Sequence, residues 1–234
     1  EGTFGSSLAS IGLGVKPTGF QVRPASVERA AQTSRIRIRA GSVVLPLHHP
    51  ARVAEEWSLV DNLSQGRTGI AFASGWQPVD FVLRPGAYAD RQKSLYEDIR
   101  TVQKLWRGES VEFPDPKGVL TRVATLPRPV QPELPTWVTT AGNIDTWRSA
   151  AQIGANVLTH LLGQTVEEVA GKIRVYREEF AKNNPGKPRG SVTIMLHTFV
   201  GDDNTQVKEL VREPMIAYLG SALGLVKNVA SSWA

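Results

Sequence analysis

From Arg35 onward two hydrophobic rhythms alternate along the chain. Short β-branched and aliphatic runs are followed by longer segments whose apolar residues recur at spacings of three and four. The first rhythm suits strands and the second amphipathic helices, so their alternation predicts βα units around a parallel sheet. Five units can be counted, with strands expected over residues 36–45, 68–73, 136–140, 156–162 and 191–200. Pro50 opens the first helix, whose inward positions are Val53, Trp57, Val60 and Leu63. A second helix over 88–106 turns Leu95, Ile99, Val102 and Leu105 inward, and Asn143 is a suitable N-cap for a short third over 144–153. Thr165 and Glu168 have capping-box spacing ahead of the stripe Val166, Val169, Ile173, Tyr176 and Phe180. The last helix starts near Asn204, and Pro214 is expected to kink it.

Two stretches break the rhythm. The run from Pro114 to Pro135 holds too many prolines for a helix and reads as an excursion over the surface. Residues 1–34 are punctuated by Gly2, Gly5, Gly12, Gly14 and Gly19, and only 25–32 has helical character. Gly12 and Gly14 do not begin a dinucleotide-binding fingerprint, because Pro17 stands where its third glycine is required. The division expected is an atypical segment over 1–34 and a barrel domain over 35–234.

Composition narrows the function. Hydrophobic residues make up 41% and charged residues 21% of 234, which is ordinary globular usage. With no cysteine, disulfides, thiolate metal sites and cysteine nucleophiles are excluded. His48 and His49 are adjacent and point apart on an extended chain, so no metal site is expected. The net charge is +5, but the densest basic run, Arg35, Arg37 and Arg39, alternates with Ile36 and Ile38 as a strand with one buried face does. Neither nucleic acid nor membrane is an expected partner, and the expected location is cytoplasmic.

Three stretches carry a family resemblance: RIRIRAGSVVLPLHHPARVAEEWSLVDNLSQGRTGIAFASGW from Arg35 to Trp76, PTWVTTAGNIDTWRSAAQIGANVLTHLLGQ from Pro135 to Gln164, and, more weakly, Ser191 to about Val226. They resemble the bacterial luciferase-like flavin-dependent monooxygenases, particularly the branch found in natural-product biosynthesis. The resemblance implies an α/β fold, an incomplete or truncated (β/α)8 TIM barrel, because the family's first two strands and its eighth unit are not recognisable here. It further implies reduced FMN supplied by a separate flavin reductase, a small organic substrate and a homodimer. Two other readings stay open: a non-catalytic flavin-binding protein with a shortened barrel, and a deazaflavin-dependent hydride-transfer enzyme.

Ligands of parallel barrels bind at the C-terminal ends of the strands, which singles out the residues just past each one. Val44 and Leu45, before Pro46, Leu47 and His48, suit an apolar wall for a flavin ring and equally suit interior packing. Ser74, Gly75 and Trp76 match the family position beside the flavin. Luciferase members carry an arginine where Ser74 stands, which puts a strong ionic contact from that position in doubt. Thr140, Ala141, Gly142, Asn143 and Thr146 form a glycine turn feeding a helix start, an arrangement suited to a phosphate dianion, although capping alone also explains Asn143. Thr159 and His160 end the fourth strand and His197 lies in the fifth; the histidines are candidate catalytic groups or hydrogen-bonded interior residues.

Overall fold

The computed structural model describes residues 24–230, in two compact units that divide after Met195. Residues 1–23, which hold most of the glycine-punctuated segment, lie outside the described residues. The larger unit is built on a parallel sheet of five strands laid side by side in chain order: β1 (Ile38–Val44), β2 (Thr68–Ala73), then β5 (Thr136–Thr139), β6 (Asn156–His160) and β7 (Val192–Met195). Between β2 and β5 the chain forms an antiparallel hairpin of β3 (Val111–Pro114) and β4 (Leu120–Val123). The helices are α1 (Pro24–Gln32), α2 (Pro50–Leu63), α3 (Arg91–Arg107), α4 (Ile144–Gln152) and α5 (Val166–Asn183). The second unit, described over 196–230, contains α6 (Asn204–Ala230), with Pro214 inside it.

Local signals account for most helix ends. The Asn143 side chain accepts from the Asp145 N–H at 2.9 Å, and Thr165 and Glu168 form the reciprocal capping box at the start of α5. One face of the sheet packs against the helices. Ile38, Val43, Ile70, Phe72, Val138 and Val157 meet Val53, Trp57, Ile99, Val102, Trp147 and Tyr176 in a single buried cluster. The Tyr176 hydroxyl donates to the Ala155 carbonyl at 2.8 Å, so even this core phenol is satisfied, and burial pushes its pKa well above the usual tyrosine range.

The opposite face is concave. In a flat sheet β1 and β6 would be about 14 Å apart, three strand spacings. Here Leu158 Cδ2 comes within 3.4 Å of the position a Cβ on Gly41 would take. Arg39 on β1 likewise reaches across β2 to stack its guanidinium 4.0 Å above the Trp137 ring on β5. Gly69, on the strand between them, leaves room for that ring, since a Cβ there would stand 2.9 Å from Trp137 Cζ3. The sheet is therefore a curled half-barrel with a small inner face of Gly41, Ala71, Trp137 and Leu158.

Two regions differ from the sequence expectation, the end of the fifth strand and the unforeseen hairpin of β3 and β4. The fifth strand stops at Met195 because its partner β6 stops at His160, the residue paired with it, and Leu196 to Val200 find no ladder despite their β-like pattern. The proline-rich excursion also contributes β4, a strand whose pattern is masked because Leu120 is 62% exposed. Its return is pinned from below by the fully buried Asp61, whose carboxylate accepts from the Gln131 N–H at 2.9 Å, Gln131 Nε2 at 2.7 Å and the Thr68 hydroxyl at 2.6 Å.

Candidate functional site

All five strands run the same way, so the connections after β1, β2, β5 and β6 emerge at one rim. The β1 connection begins with a short 3-10 turn, Leu45–Leu47. Leu45 is fully buried in the main core, whereas Val44 is half-buried on the inner-face side of the register, opposite Ala73. The β2 connection passes close beside Val44: Gly75 has φ +81°, and a Cβ on it would stand 2.8 Å from Val44 Cγ1 and 2.9 Å from Phe81 Cε2. Gly75→Ala is therefore expected to destabilise the protein by about 1–2 kcal/mol, through left-handed strain and overpacking. Urea denaturation checks this, and an unchanged midpoint would contradict the packing described.

Two arginines hold these connections. Arg84 Nη1 donates to the carbonyls of Pro46 and His48, each at 3.2 Å, tying the β1 connection to the β2 connection. Arg91, the first residue of α3, donates from Nε to the Gly75 carbonyl at 3.2 Å and from Nη1 to the Tyr88 carbonyl at 2.7 Å. Burial, reinforced by the positive charge of Arg84, holds the pKa of His48 and His49 below the ordinary imidazole value. His49 is occupied structurally, its Nδ1 accepting from the Ala51 N–H at 3.3 Å and capping α2. Ser74 is half-buried and Trp76 is 45% exposed.

After β5, Thr140 is buried and donates its N–H to the Leu158 carbonyl at 2.9 Å, while the Ala141 carbonyl accepts from Trp147 Nε1 at 3.2 Å. These bonds fix where α4 starts. Gly142 is exposed, and a Cβ added to it would meet nothing within 4 Å. Asn143 caps the helix, leaving the first-turn N–H groups of Ile144 and Thr146 without an intrahelical acceptor. Thr146 is half-buried, and the hydroxyl of Tyr96 on α3 is pushed up in pKa by burial against the opposing pull of Ser149 and Thr146.

Strand β6 separates two of the candidates by its pleat. Thr159 turns toward the helices, fully buried, with Oγ1 accepting from Gln164 Nε2 at 3.4 Å. His160 lies on the inner-face side, half-buried, and its Nδ1 accepts from the Leu162 N–H at 3.2 Å. That bond requires the neutral ring with its proton on Nε2, and burial favours the same form by lowering the pKa. His197 belongs to the second unit, where its ring lies 4.3 Å from that of Tyr218.

Sequence reasoning missed a polar pair on the inner face. Ser42 Oγ and Thr139 Oγ1, on strands separated by β2, share a hydrogen bond of 2.5 Å. Ser42 reaches it from the irregularity between Gly41 and Val43, where β1 carries one residue more than β2. Among the described residues no cluster of three His, Asp or Glu has metal-binding proximity, and no helix is long and apolar enough to cross a membrane.

Comparison with known proteins places the chain in a family. The family model described as luciferase-like monooxygenase matches residues 29–231. The oxygenase component of flavin-dependent trigonelline monooxygenase from Acinetobacter baylyi is 29% identical over 196 residues, 81% of this chain and 52% of that protein. The monooxygenase RslO1 from Streptomyces bottropensis has the same fold at a TM-score of 0.71 and 23% identity, covering 88% of this chain and 64% of that one. The oxygenating constituent of 3,6-diketocamphane monooxygenase from Pseudomonas putida, solved in complex with FMN, gives 0.66 at 19% identity over 80% of this chain and 55% of that one. The chain spans about half the length of the trigonelline enzyme's oxygenase component. With the model match running over most of its length, the chain belongs to the luciferase-like monooxygenase family.

Proposed function

We propose that this chain holds FMN in a flavin-dependent monooxygenase whose scaffold is an incomplete (β/α)8 barrel, acting on a small organic substrate. The observation that carries the reading is the rim where β2 and β5 end. There an open glycine turn at Gly142 feeds a helix start with free N–H groups, next to the Gly75 turn. These residues fit the cofactor. The N–H groups of Ile144 and Thr146 and the Thr146 hydroxyl would take the phosphate, aided by the positive end of α4. Val44 and Gly75 would wall the ring, and the Ser42–Thr139 hydroxyls would face its polar edge.

Reduced FMN, when bound, supplies the two electrons with which O2 is split, one oxygen atom entering the substrate and the other leaving as water. The chain's own contribution is placement and dryness. The inner face of Ala71, Trp137 and Leu158 excludes water from its depth, and His160, kept neutral, holds a proton on Nε2. The reading includes a separate reductase that delivers reduced FMN and a homodimer as the working assembly.

Quenching of tryptophan fluorescence, titrated with FMN and with riboflavin, tests the reading. FMN is expected to bind at least about tenfold more tightly, the return on two or more charge-assisted hydrogen bonds to a phosphate. Equal affinities would show that the α4 start recognises no phosphate.

A further inference from the structure

We propose that Arg91 is a ligand of the cofactor phosphate, supplying the countercharge that Ser74 does not. The proposal rests on the FMN reading above and adds a residue that the glycine turn alone does not reveal. Arg91 is half-buried at the first position of α3, and its guanidinium is held on three sides. Nε donates to the Gly75 carbonyl at 3.2 Å, Nη1 to the Tyr88 carbonyl at 2.7 Å, and the plane lies 4.0 Å over the Tyr88 ring. Tyr88 is itself braced edge-on by Phe81, with ring centroids 5.0 Å apart. Holding an arginine this firmly removes most of the conformational entropy that a flexible cation loses on binding a ligand.

Its charge, in contrast, is left without a counterion. Among the described residues no carboxylate comes within 4.0 Å of the guanidinium, and Nη2 has no hydrogen-bond partner. Carbonyl oxygens orient a guanidinium but do not neutralise it, and a part-buried cation without an anion is costly. The position of Arg91 shows where the anion belongs. Phe72 of β2 is paired with Val138 of β5, the last pair of that ladder, so the connections that begin at Ser74 and Thr140 leave the sheet from neighbouring strands at the same rim. Arg91 grips the carbonyl just past Ser74, and the α4 turn begins just past Thr140. A phosphate lodged between them meets N–H donors from one helix and a fixed cation from the other.

The experiment titrates wild-type protein, Arg91→Gln and Arg91→Lys with FMN and with riboflavin, with thermal unfolding as the check on folding. Arg91→Gln is expected to weaken FMN by about tenfold or more while changing riboflavin less than twofold, because only FMN carries the phosphate. Arg91→Lys, which keeps the charge without the fork, is expected to fall between the two in its FMN preference. Should Arg91→Gln fail to fold, Ser74→Asp leaves the arginine and its loop contacts in place while offering it an internal anion, and is expected to remove the FMN preference likewise. Equal losses of FMN and riboflavin would overturn the proposal by making Arg91 a loop support only, and so would unchanged FMN affinity. A wild-type protein that does not discriminate FMN from riboflavin refutes the phosphate reading itself, a result separate from any effect of Arg91.

Discussion

Asp61→Ala is expected to destabilise the protein by about 3–5 kcal/mol, enough to shift the folding equilibrium by roughly a hundredfold to several thousandfold. Asp61 is fully buried at the end of α2 and no lysine or arginine pairs with it, yet its two oxygens collect three donors: the Thr68 hydroxyl, the Gln131 N–H and Gln131 Nε2. Alanine orphans them in an interior where each unsatisfied donor costs about 1–3 kcal/mol, less where Gln131 can turn Nε2 wholly toward the Thr68 carbonyl it already meets at 3.0 Å. Asp61→Asn is expected to lose roughly half as much, since one amide oxygen still accepts while the NH2 confronts a donor. Equilibrium urea denaturation reads both values, and a loss below about 1 kcal/mol for Asp61→Ala would contradict the role assigned to the carboxylate. Hydrogen exchange supplies a second readout. Protection is expected to fall first across residues 126–135, because Gln131 also accepts from Trp106 Nε1 at 2.9 Å and Asn62 holds the Arg128 carbonyl at 2.7 Å.

The network illustrates what the sequence could and could not convey. Strand β2 matches its expected bounds because Thr68, Gly69, Ile70, Ala71 and Phe72 are buried on both faces, and a strand of that kind reads as one continuous apolar run. The capping box at Thr165 and the cap at Asn143 are equally visible, since each depends on residues two or three positions apart. The hairpin escaped notice because prolines dominate its surroundings and β4 turns a leucine to solvent. At the rim the same division holds. Gly75 and Gly142 announce turns locally, but the Ser42–Thr139 bond joins residues 97 apart and exists only because the sheet curls. The link from Arg91 to Gly75 spans 16 residues of irregular chain with no periodicity to expose it. Thr159 shows the converse: an apolar run gives no parity, and the pleat sends its hydroxyl to the helix side while His160 takes the inner one.

Gly142→Val is expected to leave stability nearly unchanged and to weaken FMN by more than about tenfold, a separation that only a ligand at this turn explains. Most glycines of this rim are required by the fold itself. Gly75 is left-handed and crowded by Val44 and Phe81, and Gly163 has φ +72°. Gly142 is neither: its φ is ordinary and a Cβ there meets no protein atom within 4 Å. The isopropyl group added at that point projects into solvent in the free protein, so the melting temperature should stay within about 2 °C. In the complex it occupies the space in front of the Ile144 and Thr146 N–H groups, where a phosphate needs close backbone approach. Asn143→Ala provides the control that separates capping from binding. It removes the Asp145 bond and is expected to cost about 1 kcal/mol of stability, while FMN affinity falls only a few-fold, because the N–H groups that would hold the phosphate belong to the residues after it. If Gly142→Val binds FMN within twofold of the wild type, the phosphate sits elsewhere on the rim. If Asn143→Ala proves as damaging to FMN as Gly142→Val with no loss of stability, Asn143 is a direct ligand whose capping bond is given up on binding.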